Sequence, residues 1–133
     1  MSAKIPEKKY SFFNELGFKK TIDDLTDLIA DLYSRDDIPW LVGYSGGKDS
    51  SAILQLIWRA LEKLKKQGKK IKPLNVMTTD TLVENPIVSI WIKGSLKSLR
   101  QKAVDEGLPI FPNLLTPAIE DTFWVNLIGK GYP

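Results

Sequence analysis

The chain has 133 residues, 43% of them hydrophobic, and a formal charge of +3, which fits one domain with one core and suits a polyanionic partner without requiring one. It contains no cysteine and no histidine. For these residues that excludes a disulfide framework, a thiolate nucleophile, a cysteine-held zinc or iron–sulfur site and the usual general base near neutral pH. The groups left for chemistry are Lys, Asp, Glu, Ser, Thr and backbone amides, a set that suits phosphate and Mg2+.

Residues 1–19 read as a polar N-terminal arm carrying Tyr10, Phe12, Phe13 and Phe18, without the apolar core of a signal peptide. Residues 20–133 read as one domain. No apolar run approaches the ~20 residues of a membrane span, so a cytoplasmic protein with no membrane partner is expected. A first helix is predicted from Ile22 to Tyr33, where Ile22, Leu25, Leu28, Ile29 and Leu32 recur at helical spacing and Thr21 with Asp24 resembles a capping box. Trp40 to Tyr44 form an apolar run bounded by turn residues, suited to a buried parallel strand.

After the glycines, Ile53, Leu54, Ile57, Ala60, Leu61 and Leu64 share one helical face, and Lys65, Lys66 and Gly68 mark its end. A second strand is predicted over Pro73–Thr78. Asn85 and Pro86 then open a helix carrying Val88, Ile92, Leu96, Leu99 and Ala103 at three-to-four spacing. The run "LPIFPNLL" has two prolines and reads as a short or edge strand, and "AIEDTFWVNLI" as a last short helix. Strands alternating with helices predict an α/β fold, a doubly wound parallel sheet with helices on both faces. Ligands in such sheets bind beyond the carboxyl ends of the strands, which places "SGGKDSS" and "TTDT" on one crevice.

The junction Ser45-Gly46-Gly47-Lys48-Asp49-Ser50-Ser51 holds the densest chemistry. Its glycines admit positive φ and the close approach of an anion. The first-turn amides of the following helix have no intrahelical acceptor, the serines add hydroxyls, and Lys48 adds positive charge. Asp49 would repel a polyphosphate, so it either caps backbone amides or binds the Mg2+ that accompanies nucleotide phosphates. The spacing fits neither the Walker loop nor the dinucleotide fingerprint. The alternative is a plain glycine turn with serine caps.

"SGGKDSS" after an apolar strand resembles the pyrophosphate loop of the N-type ATP pyrophosphatases (PP-loop proteins), which include thiolases, GMP synthetase and phosphoadenylylsulfate reductases. Within that superfamily, "TTDTLVENP" and "FWVNLIGKGYP" are similar to the DNA phosphorothioation sulfurtransferase (DndC-like) branch, from about Thr21 to the C-terminus. The resemblance implies an adenine nucleotide α-hydrolase-like fold that binds ATP and Mg2+ and cleaves between the α and β phosphates. Lys48 and Asp49 would be catalytic, with Asp49 on Mg2+. Tyr44, Ser45, Gly46, Gly47, Lys48, Ser50, Ser51, Thr79, Asp80 and Thr81 would hold the nucleotide, with adenine against the backbone around Tyr44 and Thr79.

It further implies DNA as substrate, other subunits of a DNA-modification complex, and a cysteine desulfurase as sulfur source. Members of this branch carry an iron–sulfur cluster on cysteines beyond a segment like "GKGYP". A cluster is therefore expected only in a longer form, and this chain reads as an N-terminal part or a short relative. A phosphoadenylylsulfate reductase, a tRNA thiolase and a non-catalytic nucleotide-binding module are the alternatives.

Weaker signals stand beside the loop. Lys63, Lys65, Lys66, Lys69, Lys70 and Lys72 within ten residues read either as a DNA phosphate contact or, preferably, as a solvated helix end far from the loop. Lys93, Lys97, Arg100 and Lys102 are similarly ambiguous, with Lys93 nearest the crevice. Trp91, Phe123 and Trp124 are candidates for base stacking but fit a core role better, and Asp80 with Glu84 is a weak candidate metal pair.

Overall fold

The computed structural model describes residues 17–131; most of the expected N-terminal arm lies outside them. Helix α1 (Phe18–Tyr33) leads into strand β1 (Trp40–Gly43), helix α2 (Lys48–Lys66), strand β2 (Leu74–Thr79), helix α3 (Pro86–Asp105) and strand β3 (Ile110–Leu115). A 3-10 turn, Ile119–Asp121, and a π-helical turn, Val125–Lys130, stand where one short helix was expected.

The three strands are parallel in the order β1-β2-β3, with Trp40 opposite Leu74 and Leu74 opposite Ile110. The α/β parallel sheet thus stands as expected. Right-handed crossovers that step twice in one direction put α2 and α3 on the same face. There Leu74, Val76 and Ile110 join Leu54, Ile57, Leu61 and Leu64 of α2, Ala103 of α3, and Ala30 and Tyr33 of α1 in one buried cluster. Burying each large aliphatic side chain contributes roughly 1.5–3 kcal/mol; truncating Leu61, which is fully buried, would cost about 2–5 kcal/mol. The opposite face carries Leu41, Phe111 and Leu115, all exposed. The second helical layer of a doubly wound sheet requires a reversal of strand order, and the described residues contain no such reversal.

Helix α1 differs from its sequence reading in start and in face. It begins at Phe18 with Gly17 as N-cap and no side-chain cap. Thr21 therefore sits inside the helix, where its hydroxyl donates to the Gly17 carbonyl at 2.9 Å, and the expected capping box with Asp24 does not form. The buried residues are Thr21, Thr26, Ala30 and Tyr33, while Leu25, Leu28 and Leu32 are exposed. A threonine can turn inward because its hydroxyl is satisfied by a carbonyl four residues back, as Thr26 is by Ile22 at 2.7 Å.

The start of α3 matches its sequence signals. Asn85 caps it by accepting from the Ile87 amide at 2.9 Å, and Pro86 occupies the first turn. The edge position of β3 accommodates Pro112.

The lysine run is largely used inside the fold. Lys63 pairs with Asp27, and Lys65 donates to the carbonyls of Glu106 and Gly107. Lys70 reaches Asp37, and Lys72 is buried on Asp36 at 2.6 Å with the Tyr33 ring 4.8 Å away. Four of the six lysines therefore hold helix ends and turns together, at the end of the domain away from the glycine junction.

Candidate functional site

The site grows from the carboxyl ends of β1 and β2. Tyr44 extends β1 by donating its amide to the Met77 carbonyl at 2.8 Å, and its own carbonyl accepts from the Thr78 hydroxyl at 2.7 Å. Both backbone groups of Tyr44 are thus engaged, and Thr79 is the exposed last residue of β2.

The chain then turns through Ser45 and Gly46 into α2. Gly46 has φ of 76°, a left-handed conformation that favours glycine. Gly47, the N-cap of α2, has φ of −74° and ψ of 169°, open to any residue. A side-chain carbon added at Gly47 would meet Ser45 Oγ at 3.5 Å, an ordinary contact. Nothing among the described residues therefore demands glycine at 47, and serine, asparagine or aspartate would cap the helix as well or better.

A glycine at this position leaves open space in front of the α2 N-terminus. The amides of Lys48, Asp49 and Ser50 have no acceptor among the described residues; the first amide of α2 to find one is that of Ser51, on the Gly47 carbonyl at 3.0 Å. Ser50 Oγ donates to the Gly47 carbonyl and stands 3.1 Å from Ser45 Oγ, so the two hydroxyls border the same space. Lys48 and Asp49 pair with each other at 2.6 Å, both side chains more than 80% exposed. Asp49 caps no backbone amide here, and its carboxylate is engaged by Lys48. Among the described residues no three acidic groups gather as a metal site.

Beside this loop lies a cavity of about 550 Å3. Tyr44, Ser45, Ser50 and Thr79 line it, joined by Thr78, Glu84, Val88 and Ile92. Ser51 opens instead on a neighbouring cavity between α2 and α3, which Tyr44 also borders.

Asp80 and Thr81 do not line the 550 Å3 cavity. Asp80 is buried and accepts from the Leu82 amide at 3.0 Å and the Ser89 hydroxyl at 2.9 Å, with Lys93 at 3.7 Å. The Leu82 amide first, then Ser89 and Lys93, hold its carboxyl below the usual range against the opposing effect of burial. Its work is to fix the turn between β2 and α3, where Leu82 takes φ of 63°, rare for a non-glycine residue. Glu84 accepts from Thr81 at 3.4 Å, so Asp80 and Glu84 have different partners.

Trp91 of α3 is the residue whose place sequence reasoning missed. Its ring lies on Gly46: a side-chain carbon added to that glycine would be 3.0 Å from Cη2, 3.3 Å from Cε3 and closer still to Cζ3. No local pattern announces a contact across 45 positions.

No family model and no curated protein matches the sequence. Among solved structures the chain is similar to the U34-tRNA thiolase NcsA from Methanococcus maripaludis, solved with its [4Fe-4S] cluster. The TM-score is 0.53 and the identity 17% over 88% of this chain, which spans 37% of that protein's length. At this identity the likeness is one of fold: the chain shares a parallel α/β fold with that protein.

Proposed function

We propose that the chain is the ATP-binding, adenylate-forming domain of a DNA phosphorothioation sulfurtransferase, which activates an oxygen of the DNA backbone phosphate for replacement by sulfur. The single observation that carries nucleotide use is Gly47, a helix N-cap with unstrained dihedrals and no side chain, facing three unpaired amides beside a 550 Å3 cavity. The fold neighbour's sulfur chemistry on a nucleic acid and the motifs "SGGKDSS" and "TTDTLVENP" support the remainder.

In this reading the nucleoside occupies the cavity and the β and γ phosphates lie over Gly47. The acceptor oxygen attacks the α phosphorus, the bond from that phosphorus to the bridging oxygen breaks, and pyrophosphate leaves with the electron pair. The free amides of Lys48, Asp49 and Ser50 and the hydroxyls of Ser45 and Ser50 receive its charge as it develops. The exposed Lys48–Asp49 pair opens so that Lys48 meets phosphate and Asp49 meets Mg2+, which supplies charge neutralisation at the leaving group. No cysteine is present to hold an iron–sulfur cluster; sulfur from a cysteine desulfurase and any cluster come from elsewhere in a larger assembly.

The fold neighbour acts on tRNA, which favours a tRNA acceptor as the second reading. Product analysis of ATP incubated with Mg2+ and either DNA or tRNA separates the two. Pyrophosphate released with transfer of the adenylyl group to DNA supports the first, the same products formed only with tRNA support the second, and ADP with inorganic phosphate contradicts both.

A further inference from the structure

We infer that Trp91 is a positioning residue for the anion loop, a role that rests on the nucleotide-binding reading above. Gly46 holds the one left-handed turn in the loop, and the restraint on it comes from another element. The Trp91 ring fills the space where a Gly46 side chain would stand. The hydrogen bonds that span Gly46 within the loop are few and long: Gly47 donates to Ser45 Oγ at 3.4 Å, and the Ser45 and Ser50 hydroxyls are 3.1 Å apart. Without the indole, Gly46 is free to leave the conformation that aims the amides of residues 48–50 at a common point.

Helix α3 is itself well placed to serve as a brace. Asp80 fastens its first turns through Ser89 and Lys93, and Val88 and Ile92, which flank Trp91 in sequence, line the cavity. One rigid helix therefore presents a wall to the nucleoside site and a ring to the phosphate loop. Occupancy of the cavity and the geometry of the loop are coupled through a single helical turn. Trp91 remains 51% exposed, so its indole also meets solvent at the loop and its emission responds to an anion bound there.

The test compares inorganic pyrophosphate and AMP binding, with Mg2+, to the full chain and its Trp91→Phe and Trp91→Ala variants. Loss of the ring in Trp91→Ala is expected to weaken pyrophosphate about tenfold, comparable to losing one well-directed hydrogen bond. AMP, which places no pyrophosphate in the loop, weakens much less. Trp91→Phe, which keeps a ring on Gly46, recovers most of the affinity, and the change in indole emission that pyrophosphate produces in the parent chain is absent from it. Equal pyrophosphate affinity in parent and Trp91→Ala, or equal loss of pyrophosphate and AMP, overturns the inference alone. If Trp91→Ala does not fold, an emission change that persists in Trp91→Phe overturns it. Failure of the parent chain to bind either ligand overturns both this role and the nucleotide-binding reading.

Discussion

Gly46 and Gly47 are adjacent glycines held for different reasons. Gly46 has φ of 76° and the Trp91 ring against its Cα, whereas Gly47 has φ of −74° and room for a side chain. The first glycine is required by the fold of the free protein. The second is required, in the proposed reading, by what the loop binds.

Substitution separates the two requirements. Gly46→Ala combines left-handed strain of about 1–2 kcal/mol with a collision against Trp91 and lowers the melting temperature. Gly47→Ser supplies an N-cap hydroxyl, leaving stability unchanged or raised by a few tenths of a kcal/mol, while its side chain enters the anion space and abolishes pyrophosphate binding. Thermal melts paired with pyrophosphate titrations check both arms. A Gly47→Ser protein that still binds pyrophosphate contradicts the assignment.

Acid stability should report the Asp80 network. The Asp80 carboxyl is held below the usual range by Leu82, Ser89 and Lys93. A depressed acid contributes stability that is fully present above its unfolded value, about pH 4, and is lost as pH falls through the lower folded value. Asp80→Asn is therefore less stable than the parent at pH 7, and the two converge on acidification. Denaturant melts between pH 7 and pH 2.5 measure the gap; a gap that stays constant contradicts the role given to this carboxylate.

The alkaline limb belongs to Tyr33. Burial pushes its hydroxyl, which donates to the Lys72 carbonyl, up from 10.0 to about 12. For a raised pKa, stability is full below the unfolded value and declines as pH rises from 10.0 toward about 12. Tyr33→Phe removes that decline and lowers neutral stability by about 1 kcal/mol through the lost hydrogen bond. Melts at pH 8 and pH 11 compare the slopes, and a Phe variant with the parent's alkaline slope contradicts the assignment.

The start of α3 was legible because its cause is local. Asn85 and Pro86 announce α3 through backbone chemistry that acts within a few residues. The orientation of α1 was not legible. Its leucines share a stripe, but the buried side is set by Thr26, Ala30 and Tyr33 packing as the α1 side of the core, and local bonding makes the threonines compatible with burial. Asp80 read as a nucleotide contact because it follows β2, whereas the fold turns its carboxylate toward Leu82 and Ser89. Trp91 over Gly46 is a tertiary contact, invisible to spacing.

The most direct measurement is competition binding of ATP, AMP and inorganic pyrophosphate, with Mg2+, to the parent chain and to a Lys48→Ala, Ser50→Ala double variant. If the loop is the pocket for the leaving pyrophosphate, pyrophosphate alone displaces ATP from the parent and both ligands are lost from the variant. ATP affinity unchanged in the variant, or pyrophosphate that fails to displace ATP, would contradict it.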